Sequence, residues 1–314
     1  MPDGQSGSSL FERAIAPSTH AKHHPAGVDG PTPAFPEESS AGRILRLPFA
    51  RLRASPVLPF GERATYTPRE APPERYLQML DAIGFTRGVL VQPSAHGLDN
   101  RALLNALSVD PARVRGVAVV DQGASVESLA ALKSRGVRGL RFSRLLDAHG
   151  ASRYKNTVDV SAIDELLPKM LEVGLHAQLW LGVDELAELS PLIRSASIPF
   201  VIDHLGRCDA RRGVGDTAFQ LMCDLVREGH LWVKLTPYRA STEFPHYQDM
   251  RPFHEHLVAT RPDRLLWGSD WPHVNIQRHV PDAGHLVDLL DSWTPDRSTW
   301  RQILVSNPSQ LYDF

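Results

Sequence analysis

From Gly61 onward, short apolar runs alternate with longer amphipathic stretches, and no other feature of the chain narrows its fold as much. A run that is apolar at every position suits a parallel strand buried on both faces, and the helical stretch between two such runs supplies the crossover that a parallel pair requires. Strands are predicted at residues 88–91, 114–120, 137–142, 176–181, 200–202, 231–235 and 265–267. Helices are predicted between them at 73–83, 99–107, 126–134, 160–173, 184–195, 217–228 and 247–260, with two more at 285–291 and 299–305. The first helix has Pro73 in its opening turn and Gly84 just past its end, both ordinary boundary signals. Seven strands with interleaved helices over about 250 residues fall one short of the α/β (β/α)8 TIM barrel. A doubly wound open sheet would carry G-x-G-x-x-G after its first strand, and that motif is absent. The missing strand belongs before Pro73, where residues 43–52 read Arg-Ile-Leu-Arg-Leu-Pro-Phe-Ala-Arg-Leu. Pro48 in its middle makes this a degraded or atypical barrel strand.

Residues 1–60 have a different texture, rich in Pro, Gly, Ser and His without a sustained period. Such a stretch buries too little apolar surface to offset ordering entropy, so it is read as mostly disordered or scrambled, ahead of a barrel at 61–314. The cluster His20, His23 and His24 lacks a carboxylate or Cys partner and is read as solvated. Basic residues number 34 and acidic ones 36, leaving a net charge of -2 and no excess to neutralise a nucleic acid backbone. No apolar run approaches the ~20 residues of a membrane span, and no apolar core of a secretory signal is present. Two cysteines, Cys208 and Cys223, do not make a disulfide framework. The expectation is a cytoplasmic protein with no nucleic acid or membrane partner.

In a barrel of this type the chemistry gathers at the C-terminal ends of the strands. Those positions read Gln92-Pro93-Ser94-Ala95-His96-Gly97, Arg141-Phe142-Ser143-Arg144, Asp203-His204-Leu205-Gly206-Arg207, Lys234-Leu235-Thr236-Pro237-Tyr238-Arg239 and Trp267-Gly268-Ser269-Asp270-Trp271-Pro272-His273-Val274-Asn275. Taken singly, each has a plain structural reading: Asp203 and Asp270 as helix caps or turn formers, His204 as a rim histidine, the arginines as surface charges. A His, an Asp and several Arg falling at the same end of successive strands, far apart in sequence, is not what chance placement gives.

These motifs resemble the amidohydrolase-related, metal-dependent-hydrolase-like TIM barrels, specifically their lactonase branch, and are most similar to the 2-pyrone-4,6-dicarboxylate lactonases. The resemblance covers residues 61–314 and implies hydrolysis of a small, carboxylated lactone. It implies Asp270 as general base on water and His204 as the group that polarises the carbonyl. Arg141, Arg207 and Arg239 would bind substrate carboxylates, since a guanidinium meets a carboxylate bidentately. Ser94, His96, His273, Asn275 and Tyr66 would supply further substrate contacts. Metal-dependent relatives use a first-strand His-x-His pair with later histidines and the last-strand Asp. Here His176 opens its strand and Trp180 stands at the end that faces the site, so only His204 and Asp270 remain, fewer than the three protein ligands of a hydrolytic zinc site. The lactonase branch implies no metal; a zinc-dependent hydrolase or decarboxylase and a non-catalytic dicarboxylate-binding barrel are the alternatives.

The family's opening strand ends in Asp-Cys-His-x-His-Val-Phe-Gly-Pro, and no His-x-His occurs here before Tyr66. The codons for residues 43–60, read one base later, permit Gly-Phe-Cys-Asp-Cys-His-Ser-His-Val-Phe-Gly-Pro-Ala-Arg-Phe-Phe-Pro. A frameshift in the gene or its reading is therefore expected, and it requires that the codons of Pro48 and Ala50 both end in A. The alternative is a divergent member whose first strand is not catalytic.

Overall fold

The computed structural model describes residues 60, 64–66, 71–147 and 149–314. The strand expected at 43–52, the His20, His23 and His24 cluster and the proposed frameshift lie outside the described residues. Every element below belongs to one compact unit, Arg43–Phe314.

Seven strands, β1 (Gly88–Val91), β2 (Val114–Ala118), β3 (Val137–Arg144), β4 (His176–Leu181), β5 (Phe200–Ile202), β6 (Leu231–Leu235) and β7 (Leu265–Trp267), form one parallel sheet in strict sequence order. Helices α1 (Pro73–Ala82), α2 (Arg101–Val109), α3 (Val126–Ser134), α4 (Ile163–Val173), α5 (Leu186–Ser195), α6 (Thr217–Glu228) and α7 (Arg251–Thr260) alternate with the strands. α8 (Ala283–Trp293), α9 (Arg297–Arg301) and α10 (Asn307–Tyr312) follow the last strand. This is the TIM-barrel architecture, with seven of its strands among the described residues. Local chemistry sets the helix limits: the Asp216 carboxylate accepts the Phe219 N–H at 3.2 Å to open α6, and Gly174 (φ 74) and Gly229 (φ 92) close α4 and α6 in the left-handed region.

The strands sort their side chains by alternation. Leu90, Ala118, Leu140, Phe142, Leu179, Ile202 and Val233 face the helices and join the large outer core. Val89, Val91, Val117, Val201, Trp232 and Leu266 form a separate inner cluster, so the sheet curls around its own interior. The inner face is apolar only in part, because Arg141 of β3 and Gln178 of β4, which are register partners, and Lys234 of β6 are buried polar positions in otherwise apolar strands. At the opposite, N-terminal end Tyr312 of α10 joins the inner cluster and meets His176 edge-on at 5.3 Å. Gly139 makes room for that histidine, since a Cβ there would lie 2.3 Å from its Nε2. Asp313 and Phe314 are gripped from below, with Arg115 donating to the Asp313 carbonyl at 3.0 Å, Arg138 pairing with its carboxylate at 3.2 Å, and the Arg87 and Arg115 guanidinium groups over the Phe314 ring. Among the described residues no helix is long and apolar enough to cross a membrane.

Candidate active site

Two turns at the C-terminal mouth of the barrel depart from ordinary backbone geometry. After β5 the chain runs through His204, Leu205, Gly206 and Arg207 with φ between 50° and 59°, and after β7 it places Asp270 at φ 53°, His273 at φ 55° and Asn275 at φ 60°. A left-handed non-glycine residue costs roughly 1–2 kcal/mol, and such strain collects where a side chain must be aimed. Gly206 has no alternative, because a Cβ would fall 2.6 Å from Val183 and 2.9 Å from Ile202.

The turns aim two groups at one another. The Asp270 carboxylate is buried, and its Oδ2 accepts the Tyr238 O–H at 2.6 Å and the Arg239 Nε–H at 2.6 Å. Arg239 also donates to the Val274 carbonyl at 3.0 Å. Burial works against the charge on Arg239, but Asp270 outweighs it and the guanidinium pKa is raised. The Tyr238 oxygen lies 3.3 Å from His273 Nδ1, with the two rings edge-on. His204 is buried, and burial pushes its pKa down to about 4 against the opposite pull of Asp270 and Asp203. His273 falls to about 4 for the same leading reason. Both imidazoles are therefore neutral at pH 7, donors and acceptors and not charges.

Beneath this pair lies a buried ionic cluster. Asp203 receives Lys234 Nζ at 3.0 Å, Arg141 Nη2 at 3.3 Å and the Gln178 amide at 3.1 Å. Burial alone would raise the Asp203 pKa, but Lys234 and Arg141 reverse the effect and hold it below the usual carboxylate range. Lys234 bears the cost, its pKa brought down by burial to about 7 despite Asp203. The Arg141 guanidinium also lies over the Trp180 ring at 4.2 Å. Trp180 continues into an aromatic wall: Tyr154 packs on it at 4.6 Å, and Tyr66 meets Tyr154 edge-on at 6.1 Å.

The residues singled out in the sequence thus divide. Asp270, Arg239 and His273 are joined through Tyr238, with His204 electrostatically coupled to Asp270. Arg141 joins through Asp203. Burial leads the Arg207 pKa downward, and the guanidinium groups of Arg153 and Arg239 push it the same way. Ser94 donates to the Tyr66 hydroxyl at 3.3 Å, and His96 is buried against Phe60 at 5.0 Å. Asn275 is exposed. Sequence reasoning passes over Tyr238, Lys234 and Gln178 and reads Asp203 only as a possible cap. For Lys234 and Gln178 the signal was a charged or amide side chain within a strand of mostly apolar residues.

Among the described residues no group of three or more His, Cys, Asp or Glu side chains converges to hold a metal ion. His176 sits at the floor against Tyr312, at the far end of β4 from Trp180, so the described side chains do not fit the zinc centre of the metal-dependent barrels.

Comparison with known proteins adds the following. The chain matches the Amidohydrolase family over residues 21–314. It is 35% identical to a 4-sulfomuconolactone hydrolase of Rhizobium radiobacter over 259 residues, covering 82% of this chain and 85% of that protein. It is likewise 35% identical to a 2-pyrone-4,6-dicarboxylate hydrolase of Comamonas testosteroni over 267 residues, covering 81% and 85%. Among solved structures, a probable 2-pyrone-4,6-dicarboxylic acid hydrolase from Acinetobacter baumannii with citric acid bound superposes with a TM-score of 0.74 at 27% identity, covering 86% of this chain and 99% of that one.

Proposed function

The chain belongs to the amidohydrolase family, and from that premise we propose that it hydrolyses a small lactone carrying two anionic groups. The observation that carries this reading is the charge balance of the mouth. Arg141 and Lys234 rest on the single carboxylate of Asp203, Arg239 pairs with Asp270, and Arg207 lies within electrostatic reach of Arg153, Arg239 and Glu185, so within this set five basic side chains face three carboxylates. A dianion completes that balance, and the two relatives at 35% identity are named for lactones that bear carboxylate or sulfonate groups.

In the proposed reaction Asp270 takes a proton from water as the water oxygen bonds to the lactone carbonyl carbon. Neutral His204 donates a hydrogen bond to the carbonyl oxygen as negative charge develops there. The ring C–O bond then breaks, and the departing oxygen recovers the proton from Asp270, giving a ring-opened hydroxy acid whose new carboxyl group loses its remaining proton to solvent. Arg141, Arg207 and Arg239 bind the substrate's anionic groups. Ser94, Tyr66, His96, His273 and Asn275 stand as further substrate contacts. Because no three His, Cys, Asp or Glu side chains converge on one point among the described residues, the reaction is read as needing no metal; stoichiometric zinc whose removal abolishes turnover would overturn that part.

The test is hydrolysis of 2-pyrone-4,6-dicarboxylate and of aldonolactones by this chain, by a version with the His-Ser-His strand restored, and by Asp270→Asn. Turnover lost in Asp270→Asn supports the reading. No lactone opened by either unmutated version overturns it. A second reading, a dicarboxylate-binding protein without activity, is favoured by the absence of His-x-His before Tyr66 and predicts binding without turnover.

A further inference from the structure

The phenol of Tyr238 is held on every side that the described residues offer. Its ring is buried, lies under the Arg239 guanidinium at 4.9 Å, and has the His273 ring edge-on at 5.4 Å and the Tyr247 ring at 6.4 Å. Its single O–H proton goes to Asp270 Oδ2 at 2.6 Å, which leaves the phenol oxygen to accept from His273 Nδ1–H at 3.3 Å. Arg239 reaches the same carboxylate oxygen from the neighbouring position in the chain.

We propose that Tyr238, seated on His273, is a positioning residue for Asp270, fixing the plane of the carboxylate and favouring its ionised form until it accepts the proton of the attacking water. The proposal rests on the reading of Asp270 as general base. A short O–H···O⁻ bond is among the stronger protein hydrogen bonds and acts only on the ionised carboxylate, so its loss both loosens Asp270 and makes it easier to protonate. The other charged and titratable groups acting on Asp270 are Arg239 and Lys234 from the β6 side, His204 from the turn after β5, and His273 from its own loop.

Tyr238→Phe keeps the ring and removes the hydroxyl. Expected are a kcat about ten- to a hundredfold lower with KM little changed, and an acid limb of the kcat/KM profile moved up by about one pH unit. His273→Gln should move both in the same direction by less. A readout that needs no turnover is carboxyl-carbon NMR titration, with the Asp270 resonance assigned by its loss in Asp270→Asn: its midpoint should rise in Tyr238→Phe. An unchanged midpoint and unchanged kcat overturn the proposal and leave Tyr238 as packing, while a raised KM with unchanged kcat overturns it in favour of a direct substrate contact. Retained activity in Asp270→Asn overturns the underlying reading instead, and the two failures are told apart.

Discussion

Asp203 is the counter-ion for two buried cations, and what it does for the barrel differs from what either cation does. Asp203→Asn removes the carboxylate on which buried Lys234 and Arg141 both rest, and breaking a buried pair in this way costs about 3–5 kcal/mol. Lys234→Met should cost less, because Asp203 keeps Arg141 and the Gln178 amide. Urea unfolding of the two variants checks the order, and a larger loss in Lys234→Met would contradict it. The same residues show how far a site can be read from sequence. Asp270, His204, Arg141, Arg207 and Arg239 are legible because a polar group at a strand's C-terminal end has a position that the barrel predicts. Tyr238, one residue from Arg239 in a motif already recognised, is not, because only the turn Pro237–Arg239 decides that its hydroxyl reaches Asp270 across a gap of 32 positions in the chain. Asn275, two positions after His273 in the same motif, is exposed where His273 is buried.

The elements themselves are nearly all legible, for a physical reason. A strand buried on both faces has to be apolar at almost every position, so residues 88–91, 176–181, 200–202, 231–235 and 265–267 announce their own limits. The misreadings fall where that signal ends. β3 runs on through Ser143 and Arg144 because they pair with Trp180 and Leu181 of β4, and polarity alone reads them as loop. β2 ends at Ala118, two residues short of its apolar run. Residues 160–162 and 183–185 form tight 3-10 turns that lead into α4 and α5, which helical periodicity cannot distinguish from the helices themselves. The turn from His204 to Arg207 had no such signal, and it lends itself to a direct test. Gly206→Ala must accept φ 59° and displace Val183, Ile202 and Met222, at a cost of about 2 kcal/mol or more. Because His204 and Arg207 flank it, lactone turnover should fall with the thermal midpoint; unchanged values of both would show that the turn does not set the site.

At the scale of the whole molecule, burial of histidine ties stability to pH. Burial holds His204 and His273 unprotonated down to about 4, and His176 and His254 down to about 3. In the unfolded chain they take up protons near 6.5, so below that value the unfolded state binds more protons and is favoured. Their contribution is whole above about pH 6.5 and drains away as pH falls, at up to about 1.4 kcal/mol per pH unit for each histidine. The thermal midpoint should drop between pH 6.5 and 4, and a level midpoint over that range would contradict the assignment. The cationic mouth has a further consequence, which lies outside the barrel. The chain as a whole carries a net charge of -2, so a dianion approaching from solvent meets weak overall repulsion, which Arg141, Arg207 and Arg239 offset at the mouth. Field lines concentrated at one opening turn diffusion into guided capture, and added salt removes the guidance. For a doubly charged lactone, kcat/KM should therefore decline about tenfold from low to high ionic strength, whereas for an uncharged lactone it should stay level. Selection of the substrate would begin in the ion atmosphere, several ångströms before the first hydrogen bond forms.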